Sequence, residues 1–117
     1  MPFLDPASHK VDLRAALEAE GWDVEIVESA ADAWWMNELW RLRSRWRPVG
    51  AELFVSFIGD PLDEHRPPRR VYQIGVGREP AEDWQTGNVA RFALAPDWPA
   101  KRASLIAHAA ELRDAGA

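Results

Sequence analysis

The 117-residue chain carries 14 basic and 19 acidic side chains, which give a formal net charge of −5 at pH 7. This length predicts a single domain over residues 1–117, and the acidic balance opposes general binding to nucleic acid. The chain has no cysteine, which excludes disulfides and thiolate sites, and no apolar run approaches the roughly 20 residues of a membrane span. We therefore expect a cytoplasmic protein without a membrane segment.

The first predicted element is a helix near residues 7–20, where apolar side chains recur at helical spacing. Gly21 stands where a residue with left-handed backbone commonly closes a helix, and Trp22 could then pack back on Leu17. A strand near residues 23–28 follows, because valine and isoleucine alternate there with acidic residues.

Residues 33–47 admit two interpretations. In a helix, one face would hold the apolar side chain of Trp35 and those that follow it by four, seven and eleven positions, which are Leu39, Leu42 and Trp46. In a strand over 38–47, four arginines would occupy one face and apolar side chains the other. We favour the strand, because a short loop at 48–51 and a clear strand at 52–58 follow, as in a hairpin. A short helical piece at 31–36 fits either interpretation.

The four-residue loop also predicts the register of this hairpin. Each arginine would face a residue of the second strand. The predicted pairs are Arg47 with Glu52, Arg45 with Phe54, Arg43 with Ser56 and Arg41 with Ile58. Three prolines and a glycine make 59–68 a loop.

The remaining pattern predicts strands at 70–77 and 88–94, then a final helix that starts near 96–99. The buried stripe of that helix would be Leu105, Ile106, Ala109 and Leu112. The order is α-β-β-β-β-β-α. Consecutive strands with short loops predict an antiparallel meander of about five strands, and only the N- and C-terminal helices can cover its apolar face. The expected fold class is a two-layer α+β domain.

The middle of the chain resembles a family of small, uncharacterised bacterial proteins. The shared residues are Trp40, Ser44, Trp46, Pro48, Gly50, Leu53 and the stretch Ser56-Phe57-Ile58-Gly59-Asp60-Pro61. The likeness covers about residues 34–77, and in that family the first segment is richer in β-branched residues, which favours the strand. The resemblance implies no function, and the four alternating arginines depart from the family pattern.

The first candidate site is the arginine-bearing face of the predicted sheet. Residues 39–78 hold eight basic and four acidic side chains, although the chain as a whole is acidic. Guanidinium groups beside aromatic rings suit recognition of anions, so the candidate binding residues are Arg41, Arg43, Arg45, Arg47, Phe54 and Trp34. The expected partner is an acidic protein or a second copy of this chain. The alternatives are a solvated face paired with Glu52 and N-terminal acids, or a nucleic-acid surface, which the net charge opposes.

The second candidate site is the loop at 60–65, where carboxylates and one imidazole could bind a metal ion. Its residues are Asp60, Asp63, Glu64 and His65, and their spacing matches no defined metal loop. No nucleophile-elbow, P-loop or zinc-protease motif occurs in the chain. We therefore expect a non-enzymatic binding module without catalytic residues or cofactor, and the rival hypothesis is a metal-dependent enzyme or metal-binding protein that uses this loop.

Overall fold

The computed structural model describes residues 6–27, 36–65, 68–82, 87–93 and 97–115. Along the chain, one helix precedes five strands and a second helix follows them: α1 (Pro6–Ala19), β1 (Trp22–Ile26), β2 (Met36–Ser44), β3 (Glu52–Gly59), β4 (Val71–Gly77), β5 (Ala90–Ala93) and α2 (Trp98–Ala115). Neighbouring strands pair antiparallel in the order β1-β2-β3-β4-β5, so the sheet is a meander. The α+β class and the predicted order of elements are confirmed.

The helices cover the sheet face that carries the larger apolar side chains. Alternate residues of the strands point to this face, which we call the inner face, because successive side chains of a strand project to opposite sides. The core contains Leu13, Leu17, Trp22, Trp40, Leu42, Leu53, Val55, Phe57, Ile74, Val76, Trp98, Leu105 and Ala109. The predicted stripe of α2 is confirmed at Leu105 and Ala109, whereas Ile106 and Leu112 are only partly buried. Neither helix is long and apolar enough to cross a bilayer, as far as the described residues go.

A polar cluster joins the two helices at the N-terminal end of α2. The Trp98 indole donates a hydrogen bond to Asp12 Oδ2 (2.8 Å), and Arg102 Nη1 donates to both oxygens of Asp12 (2.9 and 2.7 Å). The Trp98 hydrogen bond, followed by Arg102, lowers the pKa of Asp12 below its usual value. These contacts fix the packing of α1 against α2.

The outer face of the sheet is divided into a covered half and an open half. In the covered half, Ala81 and Val89, from the described parts of the segment between β4 and β5, lie over the sheet, and the Ala81 N–H donates to the buried Ser56 hydroxyl (2.9 Å). Val89 lies on Gly75 and Gly77, where any Cβ would come within 2.9 Å of its methyl groups. The open half consists of the exposed parts of β1, β2 and β3.

The extended conformation predicted for 38–47 is confirmed only as far as Ser44, and the predicted hairpin register is wrong. Glu52 faces Arg43 and not Arg47, a displacement of four residues. The reason is that the loop is longer than predicted and runs from Arg45 to Gly50. Two hydrogen bonds close this loop: the Ser44 N–H donates to the Ala51 carbonyl (2.9 Å), and the Gly50 N–H donates to the Ser44 carbonyl (2.8 Å). Arg45 and Arg47 therefore lie outside β2. The helical piece predicted at 31–36 begins outside the described residues and ends in a residue of β2.

Candidate functional site

The open half of the outer face carries rows of charged residues. Asp23, Arg43 and Glu52 stand opposite one another on β1, β2 and β3, and the next row holds Glu25, Arg41 and Phe54. This alternation of sign follows from the sequence, since β1 contributes acids and β2 contributes arginines at the positions that face outward. Opposite charges in such cross-strand positions attract one another modestly.

The two arginines of β2 are paired within this surface. Arg41 Nη1 lies 3.3 Å from Glu25 Oε1, its Nε lies 3.8 Å from Glu52 Oε1, and its guanidinium lies 5.7 Å from the centre of the Phe54 ring. Arg43 Nε lies 3.2 Å from Glu52 Oε2. The predicted acid pairing by Glu52 is therefore present, and Phe54 is half-buried under Arg41. The sheet face itself is not a row of free cations.

The other two predicted arginines belong to the loop between β2 and β3. Arg45 donates its backbone N–H to the Gly21 carbonyl (2.7 Å) and Nη2 to the Glu18 carbonyl (2.8 Å), while its Nε lies 3.3 Å from Asp23 Oδ1. Arg45 thus ties the loop to the end of α1. Arg47 is exposed, and its side chain has no hydrogen bond or ion pair with any residue in the described part of the chain.

Two apolar side chains are exposed in the same loop. Trp46 is 49% exposed and Val49 is 74% exposed, although most other large apolar side chains are buried. We call the group formed by Arg43, Arg45, Trp46, Arg47 and Val49 the hairpin-end surface. Tryptophan and arginine are enriched among the few residues that contribute most of the binding energy of protein interfaces.

The backbone and ring of Trp46 are held in place by their neighbours. The Ser44 hydroxyl donates to the Trp46 carbonyl (2.7 Å) and accepts from its N–H (3.1 Å). The indole lies against Gly21, where a Cβ would come within 2.5 Å of its ring carbons. The guanidinium of Arg113, from α2, lies 5.5 Å from this ring and 5.0 Å from the ring of Trp22. The two-residue spacing of Ser44 and Trp46 therefore serves the loop, because it lets the Ser44 hydroxyl bond to the Trp46 backbone.

Trp46 and Val49, which belong to this surface, and Arg113, which contacts Trp46, are not among the site residues predicted from the sequence. The signal for Trp46 was available, because it ends the pattern that begins at Trp40, but the predicted register assigned it to the inner face. The contact of Arg113 with Trp46 gave no local signal, since the two residues are distant in the sequence. The remaining predicted residue, Trp34, lies outside the described residues.

In the loop at 60–65, the buried carboxylate of Asp63 accepts hydrogen bonds from nearby backbone N–H groups. Asp63 Oδ1 accepts from the N–H of His65 (2.9 Å), and its Oδ2 accepts from the N–H of Arg69 (2.7 Å) and Arg70 (2.8 Å). The His65 backbone hydrogen bond, then that of Arg70, and then the contact with the His65 ring hold the pKa of Asp63 well below its usual range. Asp60 Oδ1 accepts from the Leu62 N–H (2.9 Å).

The described residues contain no group of three or more His, Asp or Glu side chains arranged to hold a metal ion. The contacts of Asp60 and Asp63 explain why this loop is a poor candidate, because both carboxylates already accept hydrogen bonds from the chain. The hairpin-end surface, in contrast, offers donors for an anion next to apolar area. Comparison with protein-family models, curated proteins and solved structures found no match for this chain.

Proposed function

We propose that this protein is a non-enzymatic interaction module that binds an acidic segment of another protein at the hairpin-end surface. The observation that carries the proposal is the exposure of Trp46 (49%) and Val49 (74%) between cationic side chains, in a loop tied to α1 and β1. A preformed loop of this kind loses little conformational entropy on binding.

The charges of this surface favour a partner with carboxylates. Arg47 has no acidic partner among the described residues, and Arg43 shares Glu52 with Arg41. The pair of Arg45 and Asp23 is more than half exposed on both sides, so a partner's carboxylate can replace Asp23 at little cost. Guanidinium groups bind carboxylates with two parallel hydrogen bonds, which adds specificity to the attraction.

The two alternative functions have less support. A nucleic acid would be repelled by the net charge of −5. Phe54, the aromatic ring of the sheet face that could stack on bases, is half-buried beneath Arg41. A metal ion would have to displace the hydrogen bonds that Asp63 makes with its own loop. The absence of cysteine is in keeping with the cytosolic location that we propose.

The double variant Arg45→Gln/Arg47→Gln is expected to bind an acidic peptide about tenfold more weakly than the wild type, which corresponds to about 1.4 kcal/mol. The probe is a fluorescein-labelled peptide of alternating Glu and Leu residues, followed by fluorescence anisotropy. The matched control is Arg69→Gln/Arg70→Gln, which removes two exposed arginines from a different loop. Added salt should weaken the wild-type complex, because the interaction depends on charge.

Four results would overturn this proposal. The first is no measurable binding of the peptide by the wild type. The second is equal affinity for the wild type and for the variant at Arg45 and Arg47. The third is a concentration-dependent dimer in sedimentation that this variant abolishes, because the surface would then hold a second copy of the chain. The fourth is a single-stranded oligonucleotide that binds more tightly than the peptide and displaces it.

A further inference from the structure

We infer that Arg113 is a positioning residue of the hairpin-end surface: it holds the Trp46 indole in the orientation in which a partner meets it. This inference rests on the proposed function, because it assigns a role within the same surface. Arg113 lies near the end of α2, on the side of the sheet opposite the charged rows, and none of its own surface is needed for contact with a partner.

The surroundings of Arg113 are those of a buried and fixed cation. The residue is 7% exposed, and its guanidinium carbon lies 5.0 Å from the Trp22 ring and 5.5 Å from the Trp46 ring. Its Nη1 donates to the Glu20 carbonyl (3.3 Å) and lies 3.5 Å from the Ser44 hydroxyl. The carboxylate of Asp114 lies 3.8 Å from Nε. Together these groups replace part of the water that a buried charge loses, since carboxylates, aromatic faces and carbonyl oxygens are all attractive to a guanidinium.

The contacts of Arg113 converge on the parts that determine where Trp46 lies. Ser44 holds the backbone of Trp46 through its hydroxyl, and Glu20 precedes Gly21, on which the indole rests. Trp46 is outside β2, so no strand neighbours fix the side-chain torsion angles of its half-exposed ring. Without the guanidinium, the indole could leave Gly21 and adopt other rotamers, and a partner would have to immobilise it again.

Loss of this restraint should weaken binding of the Glu–Leu peptide by about three- to tenfold. The test variant is Arg113→Met, which keeps a long apolar stem against the two tryptophans but removes the cation and its hydrogen bonds. Arg102→Met is the matched control, because it removes an arginine of the same helix whose partner is Asp12. Arg113→Gln, which also removes the cation but keeps a polar end, is measured as well, in case Arg113→Met does not fold.

Two measurements separate positioning from general stability. In ¹⁹F NMR of protein labelled with 5-fluorotryptophan, Arg113→Met should shift the resonance of Trp46, while the resonance of the buried Trp40 should keep its position. Trp46→Phe assigns the signal among the seven tryptophans. The second measurement is a double-mutant cycle. The double variant Trp46→Ala/Arg113→Met should bind the peptide as tightly as Trp46→Ala alone, because Arg113 acts through Trp46.

The outcomes distinguish this inference from the proposed function. If the peptide binds folded Arg113→Met, or Arg113→Gln where Arg113→Met does not fold, as tightly as it binds the wild type, while Arg45→Gln/Arg47→Gln weakens binding, Arg113 has no positioning role and the proposed function stands. Additive effects of the Trp46 and Arg113 changes would also overturn the inference. If neither the arginine pair nor Arg113 affects affinity, the proposed function itself fails.

Discussion

Replacing Gly21 with alanine should destabilise the protein by roughly 2–5 kcal/mol, measured as the free energy of unfolding in urea. Two effects act together at this position. Gly21 has a φ of 85°, a left-handed conformation that disfavours any residue with a Cβ. The new methyl group would also come within 2.5 Å of the Trp46 ring, so the indole would have to move.

Gly50 provides a matched control for the backbone effect alone. Its φ is 87°, and no atom lies within 4 Å of the position that a Cβ would take. Gly50→Ala should therefore cost only about 1–2 kcal/mol. In a Trp46→Ala background, the cost of Gly21→Ala should fall to that of Gly50→Ala. An unchanged cost in this background would show that the indole does not rest on Gly21.

Replacing Asp63 with asparagine should lower the Tm by several degrees at pH 7. Asp63 is buried, and its two oxygens accept hydrogen bonds from the backbone of three residues, His65, Arg69 and Arg70. An asparagine keeps one acceptor but presents an NH₂ group to N–H donors, which leaves part-buried backbone donors without a partner. The loop would lose the contacts that hold its two ends together. Glu64→Gln, which removes an exposed charge from the same loop, should leave the Tm unchanged.

The effect of Asp63→Asn should depend on pH. The pKa of Asp63 in the folded protein lies well below its value of about 3.9 in an unfolded chain. Its contribution to stability is therefore complete above about pH 5 and is lost as the pH falls through about 4 toward the folded-state pKa. The difference in Tm between the wild type and Asp63→Asn should shrink over this range. A difference that is constant from pH 7 to pH 3 would contradict the role of the ionised carboxylate.

Periodicity in the sequence was sufficient to predict every element except β2, for which a helix fitted as well and the loop and strand that follow favoured the strand. The apolar residues of each strand alternate, and those of each helix recur every three or four positions, so the inner face could be identified from the pattern. The hairpin register was harder, because it depends on loop length, which the residues around Pro48 and Gly50 do not determine. A displacement of four residues leaves the paired residues of β2 and β3 on their predicted faces, although Trp46 left the inner face with the loop. This is why the predicted fold survived the wrong register.

The site could be predicted only in part, because its decisive contacts are non-local. The pairing of Glu52 with arginines was foreseen from the hairpin, although its main partner is Arg43. The exposure of Trp46 depends on how the loop leaves β2, and its contact with Arg113 depends on the packing of α2. The role of Asp63 depends on how the chain returns at Arg69 and Arg70, which its spacing in the sequence does not reveal.

The most direct test of the account is an amide NMR titration of the ¹⁵N-labelled protein with the Glu–Leu peptide. We expect the largest shift changes at residues 43–51, at the Trp46 indole N–H and at Gly21, with small changes elsewhere. The same titration with a peptide in which Gln replaces Glu should leave these signals unchanged. Shift changes centred on the 60–65 loop or on the outer surface of α1 and α2, with the hairpin end unaffected, would contradict the account.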